Sequence, residues 1–266
     1  AWSKKRFLEG LENKFVNSNK LLIFYQSAQR GSLSLLKNKK KWITFVGKLN
    51  KAKGYDVFGA AIIQVLNENK DWRAIVIGDE EREKLIFKHS RLDNLGFKNH
   101  DEVIQVFKKT AISVVCSRWE EPFGRTSLES ASCGCAVVIT NRGGLPETVT
   151  NGYIVDKLSK KTVYDSIIKL IKNKKYREEL QKLSIQNFYL THKNASLQID
   201  TYREQIAENF KNRKSINKNK LKILHVTNFN ERHNGRLFYN TGKRINNGLV
   251  RLKHSVLEFS DRDIVS

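Results

Sequence analysis

The segment from Ala111 to Glu147 constrains the fold more than any other part of the chain. It reads AISVVCSRWEEPFGRTSLESASCGCAVVITNRGGLPE. An apolar run, a loop, a helical stretch, a small-residue break and a second apolar run follow one another, which predicts a strand–helix–strand unit. Open parallel sheets bind ligands at the carboxyl ends of their strands. The acidic residues Glu121, Glu129 and Glu147 all lie at or just beyond such ends.

The loop before the helical stretch has the composition of a phosphate and sugar site. Pro122 and Gly124 fix a tight turn, and the helix start at 125–127 offers free backbone N–H groups that favour phosphate oxygens. Carboxylates accept hydrogen bonds from paired sugar hydroxyls, and each such bond contributes about 1.5–3 kcal/mol. We expect Glu129, about one turn into the helix, to hold a ribose and Glu121, further out, to hold a second sugar. The alternative is a solvated loop acid and a helix-face charge; the whole loop favours the sugar site.

This segment resembles the donor site of the retaining glycosyltransferases of family four, which have the GT-B fold. Their signature is two glutamates separated by seven residues, and Glu121-PFGRTSL-Glu129 matches it. The resemblance also covers VGKLNKAKGYD, AIVIGDE, LGF and GGLPE, in family order, at 46–56, 74–80, 95–97 and 143–147. It implies an α/β fold with a Rossmann-like parallel sheet and helices on both faces, the C-terminal domain of a GT-B protein.

The resemblance also implies which residues contact a nucleotide-sugar donor. Lys48 and Lys53 match the family's diphosphate-binding pair, although the family usually has arginine at the first position, and together with Glu121 they form the predicted catalytic group. Fixed cations and helix N-termini can neutralise a leaving diphosphate, so neither a metal nor a cofactor is expected. For Phe97, a contact with the base and packing in the core are equally supported. The predicted donor-binding residues are Gly47, Phe97, Phe123, Gly124, Arg125, Thr126, Glu129, Gly143 and Gly144.

The formal charge of +22 leaves two explanations open. Lysines and asparagines are spread along the chain, as in proteins of A/T-rich genomes, and a basic protein is also attracted to an anionic membrane surface. Aromatic residues are not interleaved with the basic ones as a base-stacking platform requires, so no nucleic-acid partner is expected. The chain has no run of 18 apolar residues, and its three cysteines match neither a disulfide framework nor a zinc-binding spacing. We therefore expect a cytoplasmic protein with reduced thiols. The inner face of the cell membrane is one expected location.

The pattern of apolar runs and polar linkers divides the chain into four segments. Residues 1–38 resemble the end of the acceptor-side domain, with a helix at 1–12 and a crossing strand at 21–25, and 39–195 form the donor-binding domain. A returning helix and basic linker at 196–220 precede 221–266, which resemble the truncated first strand–helix–strand unit of a second GT-B-like transferase. The predicted strands of the donor domain lie near 42–46, 73–77, 112–116, 136–140 and 153–155.

Two short features of the tail carry less weight. Asp261-Arg262-Asp263 matches a metal signature of the other large glycosyltransferase fold, but three such residues arise easily by chance. His225 and His233 flank the exit of the new strand. We therefore predict no metal site.

These observations predict a glycosyltransferase of cell-envelope polysaccharide synthesis. It would move a hexose from a nucleoside-diphosphate sugar to a glycan or lipid-linked acceptor, with retention of configuration. A GT-B phosphorylase or epimerase, a basic nucleic-acid-binding module and an inactive transferase fragment remain as alternatives. The donor base, the sugar, the acceptor and the oligomeric state are left open by the sequence.

Overall fold

The five apolar runs predicted as strands of the donor domain all form strands, and a sixth strand joins them. The computed structural model describes residues 1–10, 21–212, 220–227 and 242–260, and the chain divides into two units, Ala1–Tyr202 and Arg203–Ser266. In the first unit every strand pair is parallel. The strands are β1 (Lys40–Val46), β2 (Arg73–Ile77), β3 (Leu92–Asn94), β4 (Thr110–Val115), β5 (Ala136–Thr140) and β6 (Tyr153–Val155).

The strand order is β3-β2-β1-β4-β5-β6. Central strands of a parallel sheet are covered on both faces, which is why their sequences are continuously apolar rather than alternating. All five residues of β5 are buried. The order reverses between the neighbours β1 and β4, and such a reversal opens a crevice at the carboxyl ends of the two strands. The fold therefore places its candidate binding site between the loops that follow β1 and β4.

Helices cover both faces of this sheet, which confirms the predicted fold class. On one face, Phe45 and Val76 belong to a core that includes residues of α2 and α5; on the other, Ile77 and Val137 belong to a core that includes residues of α3. The helices are α1 (Trp2–Gly10), α2 (Tyr55–Glu68), α3 (His100–Lys109), α4 (Arg125–Ser132), α5 (Lys160–Lys172), α6 (Lys174–Gln186), α7 (His192–Asn212) and α8 (Gly242–Arg251). Short 3-10 helices occupy Leu33–Asn38 and Leu145–Glu147.

The helices begin in two different ways. Before α3 and α5, the side chains of Asn99 and Ser159 accept backbone hydrogen bonds in capping boxes, which satisfy free N–H groups of the first turn. Before α2 and α4 stand Gly54 and Gly124, which make no side-chain cap. The first N–H groups of α4 are thus left for other partners, whereas those of α2 already bond the Asn50 carbonyl oxygen and the Asp56 carboxylate. Both helices start at the carboxyl edge of the sheet.

One predicted strand is absent, and one observed strand was not predicted. Residues 21–27 form no strand, although exposed and half-buried residues alternate along them; only Ala28, just beyond, makes an isolated bridge, with Thr191. A strand needs a neighbouring strand for its N–H and C=O groups, and 21–27 pair with no strand in the described part of the chain. Conversely, β3 was not predicted, because three residues carry no apolar pattern.

The second unit contains β7 (Lys222–Thr227), α8 and β8 (Ser255–Ser260), with the two strands parallel. The predicted strands and helix of the tail are confirmed where they are described. Leu224, Val226 and Leu257 are exposed on this small sheet. The Asp261-Arg262-Asp263 tripeptide, His233 and most of the basic linker lie outside the described residues.

All three cysteines, Cys116, Cys133 and Cys135, are buried and free of disulfides. Within the described ranges, no helix combines the length and the apolar character that a bilayer crossing requires.

Candidate functional site

The loops that follow β1 and β4 enclose a cavity of about 220 Å³ at the carboxyl edge of the sheet. Lys53, near the end of the first loop, donates a hydrogen bond from Nζ to Oε1 of Glu121, near the end of the second. The Glu121 side chain is 13% exposed and that of Lys53 34%. The lining residues are Phe45, Val46, Gly47, Lys53, Val115, Ser117, Glu121, Gly124, Arg125, Thr126 and Leu145. Two predicted catalytic residues therefore meet in one pocket, together with four of the predicted donor-binding residues.

The start of α4 forms one side of this cavity. Gly124 has a left-handed φ of +113°, and a Cβ there would lie 2.4 Å from the Leu145 side chain. The Ser127 hydroxyl is already engaged, with Thr148 at 2.6 Å and the Gly124 carbonyl at 2.9 Å. Because the first N–H groups of a helix lack internal partners and carry partial positive charge, this edge of the cavity favours an anion.

The loop after β5 packs directly against Glu121. The Gly144 amide donates to the Glu121 carbonyl oxygen at 2.6 Å. Gly143 has a φ of +58°, and a Cβ there would lie 2.3 Å from the same carbonyl. This close approach requires glycine and fixes the backbone of Glu121, so the structure brings Gly143 and Gly144 beside the predicted catalytic acid.

Glu129 lies in a neighbouring cavity of about 260 Å³. It is 7% exposed, and its Oε1 lies 2.5 Å from Nε of Arg125 and 3.6 Å from Nδ1 of His100. Arg125 lines both cavities. The two signature glutamates thus occupy adjacent compartments that meet at Arg125.

His100 is a site residue that sequence reasoning missed. It is the first residue of α3, directly after the Asn99 cap, and it faces the buried Glu129 from another helix. The only sequence signal was its place just after the LGF segment, at the start of a helix on the strand-exit edge.

The remaining predicted residues lie outside the first cavity. Lys48 is exposed and forms no ion pair with the described residues. Phe97 is 75% exposed, so packing in the core is wrong for it; its contact with a base stays a prediction. Phe123 is buried against Tyr25, with ring centroids 5.5 Å apart. Its side chain therefore packs in the protein interior beneath the loop that contains Glu121, and its role in donor binding stays a prediction.

Glu147 holds a different part of the chain. It accepts the backbone N–H of Trp2 at 2.5 Å and bonds the Tyr25 hydroxyl. Burial, together with the charge of Glu147, raises the pKa of Tyr25 to about 12. This acid ends the 3-10 helix Leu145–Glu147. Its role in the described structure is to join the loop after β5 to α1 and the 21–26 segment.

The chain resembles known glycosyltransferases in sequence and in fold. It is 31% identical over 163 residues to spore coat protein SA of Bacillus subtilis, a match that covers 54% of this chain and 43% of the relative. It is 31% identical over 123 residues to the lipopolysaccharide core biosynthesis mannosyltransferase LpsB of Rhizobium meliloti, covering 42% and 35% of the two chains. The match thus spans less than half the length of these curated relatives.

A solved structure shows the same fold at lower identity. HepE of Anabaena, in complex with UDP and glucose, superposes with a TM-score of 0.57 at 19% identity, over 78% of this chain and 60% of that one. Its architecture is that of a GT-B glycosyltransferase, in agreement with the six-stranded parallel sheet. The family described as "Glycosyl transferases group 1" matches residues 32–186, more than half of the chain and all of the cavity between β1 and β4, and the chain therefore belongs to that family.

Proposed function

We propose that this chain binds a nucleoside-diphosphate sugar at the carboxyl edge of its sheet and forms the donor side of a retaining hexosyltransferase. The observation that carries the proposal is the Lys53–Glu121 pair, which sits in a cavity beside the start of α4. A cation, a carboxylate and free helix N–H groups are the three partners that a diphosphate and a sugar ring require.

The diphosphate would lie between Lys53 and the start of α4. At 4 Å, an ammonium group attracts a unit negative charge by about 4 kcal/mol at an effective dielectric constant of 20. The attraction grows as the bond to the sugar breaks, because negative charge then develops on the diphosphate. Lys48, exposed at the end of β1, would supply a second cation.

The two glutamates would divide the remaining work. Glu121 would release Lys53 to the phosphates and accept hydrogen bonds from hydroxyls of the sugar, beside the Gly143–Gly144 backbone. The carboxylate of Glu129, in the adjacent cavity, would give up its hydrogen bond from Arg125 and accept hydrogen bonds from the ribose hydroxyls instead. Arg125 lines both cavities, so it would then be free to face the diphosphate between them.

The nature of the sugar and acceptor rests on the relatives. LpsB is named as a mannosyltransferase of lipopolysaccharide core synthesis, and HepE was solved with UDP and glucose. We accordingly propose a hexose as the transferred group and a glycan or lipid-linked acceptor, in cell-envelope polysaccharide synthesis. A cytoplasmic site of action, with contact between the chain's net charge of +22 and the anionic inner face of the membrane, fits such an acceptor.

Differential stabilisation by a panel of nucleotides and nucleotide sugars tests the proposal. A ligand present at a hundred times its Kd stabilises the folded state by about 2.7 kcal/mol. For a domain of this size that corresponds to a rise in melting temperature of about 5–10 °C. UDP-glucose and GDP-mannose are the first candidates, with uridine and guanosine as controls that lack phosphate.

Two variants in one loop locate the site. Lys53→Ala should abolish most of the stabilisation, whereas Lys51→Ala should leave it intact, since Lys51 is exposed and does not line the cavity. No stabilisation of the parent chain by any nucleotide sugar would overturn the proposal. Steeply salt-dependent binding of RNA instead would favour the nucleic-acid alternative.

A further inference from the structure

The loops that carry Lys53 and Glu121 are joined by a second ion pair outside the cavity. Arg118, in the loop after β4, donates to both carboxylate oxygens of Asp56, in the first turn of α2, at 2.6 and 2.8 Å. Its Nη1 also donates to the Lys51 carbonyl oxygen at 2.6 Å. Planar, two-point contacts of this kind fix orientation as well as distance.

Backbone contacts join the same two loops over a short stretch. The N–H groups of Arg118 and Trp119 both donate to the Ala52 carbonyl oxygen, at 2.9 and 3.1 Å. Gly54 has a φ of +74°, and a Cβ there would lie 1.9 Å from the Cys116 carbonyl oxygen. The loops therefore touch along 51–54, which contains Lys53, and along 116–119, which ends two residues before Glu121.

Arg118 and Asp56 do not line the cavity themselves. Arg118 is 42% exposed and Asp56 26% at the side chain, so the pair sits at the rim and is accessible to water. Although burial opposes it, bonding to Arg118 holds the pKa of Asp56 below its ordinary value. The pair therefore stays charged across the neutral range.

We propose that Asp56 and Arg118 form a positioning pair that sets the separation of Lys53 and Glu121 for the nucleotide-sugar donor. The inference rests on the function proposed above. Ordering the backbone of a loop costs conformational entropy. A pair that fixes the backbones of both loops in advance lowers the ordering cost that the donor would otherwise meet on binding.

The chain contains a matched control for this pair. Arg73 and Asp93 form another two-point pair, with contacts of 2.8 and 3.1 Å and similar exposure, 45% and 35%. Arg73 is the first residue of β2, at the amino edge of the sheet and away from the cavity. Arg73→Ala therefore removes equivalent chemistry from a place where no positioning of Lys53 is expected.

The test measures binding of UDP-glucose, GDP-mannose, uridine and guanosine to the full chain by calorimetric titration, after melting curves have confirmed folding. Arg118→Ala and Asp56→Asn should each weaken binding of the nucleotide sugar roughly tenfold, which is within the range of interaction free energies measured between contacting residues. Binding of the nucleoside should not change, and the double variant should be no weaker than Arg118→Ala alone. Arg118→Lys, which keeps the charge but not the two-point contact, should be intermediate.

The outcomes separate this proposal from the proposed function. If the parent binds neither nucleotide sugar, the proposed function fails and the positioning pair with it. If the parent binds one and Arg118→Ala binds it equally well, only the positioning proposal is overturned. Equal losses in Arg118→Ala and Arg73→Ala, or equal losses for nucleotide sugar and nucleoside, would also overturn it, because they would indicate general destabilisation.

Discussion

Replacing Glu129 with alanine should weaken the binding of UDP or GDP by about 5- to 60-fold. A charged hydrogen bond contributes about 1.5–3 kcal/mol, and the ribose hydroxyls would lose that acceptor. In the free protein, however, Glu129 is paired with Arg125 four residues earlier, and this pair must open first. Pairs of that spacing on a helix contribute about 0.3–0.5 kcal/mol. The net loss is therefore about 1–2.5 kcal/mol, which is the stated range at about 1.4 kcal/mol per tenfold change.

Calorimetric titration of the parent and Glu129→Ala with both diphosphates measures this loss directly. Glu179→Ala is the matched control, because Glu179 is an exposed helix acid on α6 with no ion pair in the described part of the chain. Glu129→Gln should lie between parent and alanine variant, since an amide oxygen still accepts but carries no charge. Equal affinities of parent and Glu129→Ala for UDP and for GDP would refute the ribose assignment.

Three further outcomes follow from the same geometry. Glu121→Ala should spare the free diphosphate and weaken only the complete nucleotide sugar in titrations; equal weakening of both ligands would contradict the division of work between the glutamates. Lys48→Ala and Lys53→Ala should weaken binding of the diphosphate more than binding of the nucleoside, and this difference should shrink as salt is added. Unchanged diphosphate affinity in the double variant would show that both lysines are ordinary solvated surface residues. Removal of residues 217–266 should leave the melting temperature of the remaining chain almost unchanged, because one helix and two strands bury too little surface to offset their ordering entropy; unfolding of the remainder would show that both parts form one fold.

Five of the six strands of the first unit follow from the sequence because burial on both faces leaves a strong signal. The run at 136–140 is continuously apolar, and each of its residues is buried. The rule that parallel sheets bind ligands at their carboxyl edge then brought Lys53 and Glu121 to the same edge, where the structure pairs them. The strand predicted at Leu21 to Tyr25 is wrong because an apolar run indicates only an extended chain. Whether a neighbouring strand is present to pair with it depends on the rest of the fold.

Contacts between loops could not be predicted in the same way. The Asp56–Arg118 and His100–Glu129 contacts join residues that are far apart in sequence. The first depends on β1 and β4 being neighbours and on the lengths of the loops that follow them, and the second depends on how α3 packs against α4. Phe123 shows the same difficulty within one motif. Its position in the signature indicates the site, but the turn at Gly124 directs its side chain toward Tyr25.

The alkylation rates of the buried thiols of Cys116 and Cys135 measure how often the candidate site opens. Burial raises the pKa of Cys116 and of Cys135 to about 12, and only the thiolate attacks an alkylating reagent. Labelling in the native chain is therefore limited by transient local unfolding. Cys116 lies against Gly54, where the two cavity loops meet, so its alkylation rate reports how often those loops separate. Cys135, at the entry to β5, reports fluctuations of the sheet in the same sample, and a donor that bridges the loops would slow the first rate more than the second.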